Sequence, residues 1–131
     1  MKCVMGGSEM QIFLADSYAI VEYFKGNANY KKYFEKNKII TTKFNLMEVY
    51  YSALVNSTKD NANKYYDSLV YQCIQVPDQV VKEALQFRYE NRKQKLSYVD
   101  AIGYQLSLEL EVKFLTGDKE FEKMQNVEFV K

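Results

Sequence analysis

Residues 96–121 read LSYVDAIGYQLSLELEVKFLTGDKEF, and the fold turns on how this stretch is read. Val99, Ile102, Gly103, Leu106 and Leu110 recur at helical period and make an apolar or small stripe along one face. Ser97 stands at the N-cap position, and Asp100 three residues later gives a capping-box pattern. Val112 to Leu115 then reads as a short strand, and Thr116-Gly117 turns into a second helix start at Asp118. The order is helix, strand, turn, helix, with an acid at the start of each helix. In an open α/β sheet, ligands gather outside the carboxyl ends of the strands, which is where Asp118 falls.

Outward from this stretch, the same punctuation recurs. Met10 to Ala15 predicts a first strand, ended by Asp16-Ser17, with a helix over Tyr18 to Lys25 closed by Gly26-Asn27. Ala28 to Lys36 predicts a second helix, and Lys38 to Thr42 a β-branched second strand. Helices follow over Phe44 to Val55 and Thr58 to Gln72, then a third strand at Cys73 to Val76. Pro77-Asp78 opens a helix running to about Lys93, and Val127 to Val130 is a last edge strand. Five short apolar strands alternating with helices imply a parallel sheet covered on both faces. The chain of 131 residues suits one domain, with residues 1–9 expected as a loose extension.

Composition excludes more than it selects. With no histidine, Ser-His and Cys-His nucleophile pairs, histidine bases and histidine metal ligands are all ruled out. No glycine-rich phosphate loop is present. A net charge of +1 gives no global nucleic-acid signal, so any such interface must be local. Cys3 and Cys73 make no metal spacing and are expected to stay reduced, as in a cytoplasmic protein; no apolar run suggests a signal peptide or a membrane span. Chemistry is left to carboxylates, Lys, Tyr or Cys.

Four acids stand out, each with a plainer role beside the chemical one. Asp16 follows a buried strand and can cap the next helix; Asp118 can do the same; Asp100 has its capping box with Ser97. Glu48 lies beside an apolar stripe of Phe44, Tyr51 and Val55, where a carboxylate is costly unless paired, protonated or bound to a cation. Together, the ends of the elements bearing these acids converge at one edge of a parallel sheet. Clustered carboxylates repel unless they share protons or hold a cation, and oxygen-only ligation selects Mg²⁺ or Mn²⁺ over zinc. Such a pocket suits phosphodiester hydrolysis.

The segments IFLADSYAI around Asp16, ITTKFNLMEVYY around Glu48, LSYVDAIGYQLSLEL around Asp100 and VKFLTGDKEF around Asp118 together resemble the PIN (PilT N-terminus) domain, and among its members the VapC-type toxin ribonucleases. The resemblance spans Ile12 to Val130. It implies a three-layer α/β/α sandwich on a central, mainly parallel five-stranded sheet. It also implies an acidic Mg²⁺/Mn²⁺ pocket, an RNA substrate, a homodimer and, for toxin members, a small antitoxin that inserts near the pocket. By that resemblance Asp16, Glu48, Asp100 and Asp118 are the catalytic set and Asp16, Asp100 and Asp118 the metal ligands. Family members often carry Gly where Glu111 ends the long helix, and Tyr104 stands where a small residue is common.

Secondary features stay open between two roles. Ser17 and Thr116 either support the carboxylates by hydrogen bonds or cap helices. Arg88, Arg92, Lys93 and Lys95 either contact RNA phosphates or form a solvated helix end. The pairs Tyr50-Tyr51 and Tyr65-Tyr66 either stack on bases or pack, and the helices carrying them are expected to form a dimer interface. A phosphate receiver domain would want an acidic pair after the first strand, but Ser17 follows Asp16. A PIN-like scaffold that binds without cleaving, and a processing nuclease outside any toxin–antitoxin pair, are the remaining alternatives.

Overall fold

The computed structural model describes the backbone of residues 2–5 and 8–131 and the side chains of residues 10–131. Strand β2 (Ser8–Ala15) organises the sheet. It pairs in parallel with β3 (Lys38–Ile40) on one side and β4 (Lys113–Thr116) on the other, and β4 pairs in parallel with β5 (Val127–Phe129). The parallel sheet therefore has four strands, in the order β3-β2-β4-β5.

Helices cover both faces because successive residues of the central strands are apolar and point to opposite faces. Phe13, Ala15, Ile39 and Leu115 face a core shared with α1 (Ser17–Phe24), α2 (Ala28–Lys36), α3 (Lys43–Asn56) and α4 (Lys59–Leu69). Ile12, Leu14, Ile40 and Phe114 face the opposite core, under α5 (Asp78–Glu90) and α6 (Tyr98–Leu110). With side chains alternating across a strand, a nearly continuous apolar run can feed two cores at once, and the three-layer α/β/α architecture follows.

Three expectations are corrected. Cys73 to Val76 is not a strand: it makes one parallel bridge, Thr41 with Cys73, before the chain leaves for Pro77. The short 3₁₀ turn Val70–Gln72 brings the chain in at that point, leaving too little extended backbone for a ladder. Asp118 does not start an α-helix; it caps the 3₁₀ turn Lys119–Phe121, which ends once Phe121 is buried in the second core. Finally, the loose extension expected at residues 1–9 is a strand over part of its length, since β1 (Lys2–Met5) pairs antiparallel with Ser8 to Gln11 and so occupies backbone groups of β2.

The two departures from the family pattern each have a local cause. Glu111 closes α6 with φ 55°, a left-handed cap position for which glycine is better suited. Tyr104 is accommodated: its ring is 3% exposed among Phe87, Phe114 and Phe121, and its hydroxyl donates to the Gln125 carbonyl at 2.8 Å.

Gly117 is required by close approach. A Cβ there would lie 2.4 Å from both the Tyr18 ring and the Val130 carbonyl oxygen, and 2.6 Å from the Tyr30 hydroxyl. Tyr30 itself donates to that carbonyl at 2.5 Å. Gly117→Ala should cost about 2 kcal/mol or more, because backbone must move. Gly103→Ala should cost less, since its Cβ meets only side chains, although the Phe114 ring at 3.1 Å must give by a few tenths of an ångström. Urea unfolding of both variants checks this, and equal midpoints would remove the close-approach account.

Candidate active site

Parallel pairing brings the ends of β2, β3 and β4 to one edge. Asp16 follows β2 directly, Thr116 ends β4, and Thr41 and Thr42 follow β3. The edge is tied by hydrogen bonds between strands. Asp16 N–H donates to the Leu115 carbonyl at 3.1 Å, and Thr41 Oγ1 donates to the Ala15 carbonyl at 2.8 Å.

Asp16 is the deepest acid, 2% exposed. Its Oδ1 accepts from the Ala19 N–H at 2.8 Å, so it does cap α1, and its Oδ2 accepts from Thr116 Oγ1 at 2.5 Å. Burial pushes its pKa up to about 7, against the two hydrogen bonds, and Asp100 and Asp118 push it the same way. Asp100 holds both halves of the capping box: its Oδ2 accepts from the Ser97 N–H at 3.0 Å, while Ser97 Oγ accepts from the Asp100 N–H at 3.0 Å. Its carboxyl is nevertheless raised, first by burial and then by Asp118 and Glu120. Glu48 is raised by burial and by Asp100, with the Ser17 hydrogen bond opposing. Asp118 Oδ1 caps its turn by accepting from the Glu120 N–H at 3.0 Å. The capping roles read from the sequence are present in the fold, and the acids act on one another in pairs: Asp100 and Asp118 on Asp16, and Asp100 on Glu48.

Thr116 and Ser17 both support acids. Thr116 Oγ1 also accepts from the Asp118 N–H at 3.0 Å, linking two of the aspartates through one hydroxyl. Ser17 Oγ donates to Glu48 Oε1 at 2.5 Å and accepts from Asn45 Nδ2 at 3.0 Å. Asn45 and Glu120 are members of this neighbourhood that sequence reasoning missed. Glu120 is partly buried and accepts the Lys95 N–H at 3.0 Å. Asn45 left a faint signal, a polar residue in the first turn of a helix three places after a Thr cap.

The basic residues divide. Arg88 Nε donates to the Leu96 carbonyl at 2.9 Å, and its guanidinium lies 4.6 Å from the Tyr98 ring centre, so it clamps the loop leading to Asp100. Arg92 is bound locally to Tyr89, while the side chains of Lys93 and Lys95 are exposed. Of the tyrosine pairs, Tyr50 packs edge-on to Tyr66 and Tyr65 stacks on Phe24; Tyr51 is exposed.

The donor set is oxygen only, and the groups that lower the pKa values of Asp16, Asp100 and Glu48 are hydrogen-bond donors rather than cations. An oxygen-only set of acids with no cation among those partners is of the chemistry that suits a hard divalent ion. Among the described residues, no group of three or more acidic or thiol side chains is arranged to hold a metal ion.

With the geometry established, comparison with known proteins gives the family. A sequence model of the PIN domain matches residues 13–127, and the chain belongs to that family. Curated proteins give no sequence match. Among solved structures, the chain is similar in fold to VapBC2 of Rickettsia felis bound to a fragment of its promoter DNA (TM-score 0.71, 16% identity, covering 92% of this chain and 98% of that one). It is also similar to a toxin–antitoxin complex from Klebsiella pneumoniae (0.69, 19%, 88% and 94%). A third similar structure is VapC20 of Mycobacterium tuberculosis, a sarcin-ricin loop cleaving toxin (0.67, 14%, 86% and 92%).

The raised acids make stability depend on pH with a definite sign. For Asp16 the folded value is about 7 against an ordinary 3.8, so the folded state holds the proton more tightly. Its contribution is fully present below the unfolded value and is lost as pH rises through about 7. Asp100 and Glu48 shift in the same direction. The metal-free melting temperature should therefore fall between about pH 4 and pH 7, and Asp16→Asn should flatten that slope. A profile equally steep in the variant would show that Asp16 is not its source.

Proposed function

We propose that the protein is a Mg²⁺- or Mn²⁺-dependent endoribonuclease and the toxin of a toxin–antitoxin pair, acting in the cytoplasm. The observation that carries this reading is the buried Asp16 carboxyl, raised first by burial and further by Asp100 and Asp118, with no cation among its partners. An idle cluster of this kind only costs stability, which argues against a binding scaffold. Solved toxin–antitoxin structures of the same fold support the toxin assignment over a processing nuclease.

In this reading Asp16, Asp100 and Asp118 hold the ion, which when bound supplies an activated water and neutralises charge on the phosphate. Thr116 orients the Asp16 carboxylate through its 2.5 Å hydrogen bond. Glu48, kept at the surface edge with a raised pKa, holds or takes a proton beside the scissile group. Lys93 and Lys95 contact RNA phosphates, while Arg88 and Arg92 act through the loop and helix end they brace.

Two partner surfaces belong to the proposal. On α3, Phe44, Met47, Tyr51, Leu54 and Val55 are 37–69% exposed and share a stripe, while Leu46, Val49 and Ala53 are buried in the core. A helix apolar on both sides wants a second partner, and a homodimer supplies it. The second surface is the neighbourhood of the acids, where an antitoxin segment would insert.

Asp100→Asn is the sharpest test of the chemistry, because Asn still accepts the Ser97 hydrogen bond while one charge is lost. RNA cleavage with Mn²⁺ should fall on the order of a hundredfold or more, with the metal-free melting point held or slightly raised. Wild-type cleavage rates in this variant would end the assignment of Asp100.

For assembly, light scattering at micromolar concentration should give a dimer, and Tyr51→Asp with Val55→Asp a folded monomer. A wild-type monomer would place α3's stripe in some other contact.

A further inference from the structure

Behind Glu48 lies a chain of hydrogen bonds whose direction is set at each step. Thr42 Oγ1 donates to Asn45 Oδ1 at 2.7 Å, which fixes which end of the amide is which. The same hydroxyl accepts the Asn45 N–H at 3.2 Å, so Thr42 is engaged as donor and acceptor. The amide nitrogen, Nδ2, then donates to Ser17 Oγ at 3.0 Å. Ser17 has one proton, and with its oxygen already accepting, that proton goes to Glu48 Oε1 at 2.5 Å.

The relay runs from the buried end of α3 to the first residue of α1 and back to α3 one turn later. Thr42 and Asn45 are 0% and 1% exposed, whereas Ser17 is half-buried and Glu48 reaches the surface. A buried amide with both ends satisfied is rigid, because any rotation leaves a polar atom unpaired at a cost of one or more hydrogen bonds. Ser17 is also covalently next to Asp16. Fixing Ser17 therefore fixes Glu48 relative to the deepest aspartate.

We propose that Asn45 is a positioning residue that holds Glu48, through Ser17, in register with Asp16 for catalysis. The proposal rests on the nuclease reading above for its kinetic consequence, but not for the relay itself. Asn45→Asp has the same shape and replaces the donor with an acceptor, so Ser17 turns its proton away from Glu48. Ser17→Ala breaks the path from the partly exposed end, without disturbing the core.

The kinetic arm compares wild type, Asn45→Asp, Ser17→Ala and the double variant on an RNA substrate at saturating Mn²⁺, with melting curves on the same preparations. Each single variant should lower kcat by roughly tenfold to a hundredfold with KM within about twofold, the scale of groups that orient a catalytic shell. The double variant should be no slower than the slower single. If Asn45→Asp does not fold, Ser17→Ala alone must show the same drop in kcat. Wild-type kcat in a folded Asn45→Asp, or losses that multiply in the double variant, would overturn the proposal.

The second arm needs no activity. In the wild type the Asn45 side-chain amide protons should exchange with solvent at least tenfold more slowly than those of an exposed Asn, such as Asn29, by NMR, and Ser17→Ala should abolish much of that protection. Unprotected Asn45 amide protons in the wild type would show that the relay does not exist. A protected relay in a protein that cleaves no RNA would instead refute the nuclease reading and leave the structural assignment of Asn45 standing.

Discussion

The hydrogen bond from Thr116 Oγ1 to Asp16 Oδ2 joins residues 100 positions apart, at the ends of the two central strands. It exists only because β2 and β4 are parallel neighbours in one register, Ala15 opposite Leu115. A carboxylate at 2% exposure is strongly disfavoured as an anion, and this bond, with the Ala19 N–H, makes its burial tolerable. The same Thr hydroxyl receives the Asp118 N–H, so one side chain sets two acids. Gly117 then lets the chain pass beside the Val130 carbonyl without a Cβ in the way. Strand pairing, turn and acid placement are thus one constraint seen from three sides.

A second economy is that each aspartate has a structural task as well as a chemical one. Asp16, Asp100 and Asp118 cap α1, α6 and the 3₁₀ turn respectively, and each cap places its carboxylate at a positive helix or turn end. Those backbone N–H groups partly offset the repulsion among the acids. Burial first, and then the neighbouring acids, raises the pKa values of Asp16, Asp100 and Glu48.

Helix α3 shows how one element can serve the core, the site and an outer surface. Leu46 and Val49 enter the first core and Ala53 is buried; Asn45 and Glu48 reach toward Ser17; Met47, Tyr51 and Val55 face outward. Its composition looks poorly amphipathic because three faces are in use instead of two. Chains that use every face of a helix leave little slack, and substitutions on α3 should be read for effects on both packing and Glu48.

The sequence by itself determined the alternation of elements, the two-faced strands, the caps at Asp16 and Ser97, and the four acids at element ends, because each of these depends on neighbours within a few residues. Even the left-handed cap at Glu111 was foreshadowed by a departure from glycine. Tertiary structure alone decided the rest. It reduced Cys73 to Val76 to a single bridge, since a strand exists only where a partner offers matching backbone. It partly buried Arg88 by giving it the Leu96 carbonyl and the Tyr98 ring. It brought Glu120 beside Asp100, and Asn45 against Ser17 across 28 residues. Such pairings carry no periodicity along the chain, because distance in space between side chains on different elements is set by how the layers pack and not by spacing in the sequence.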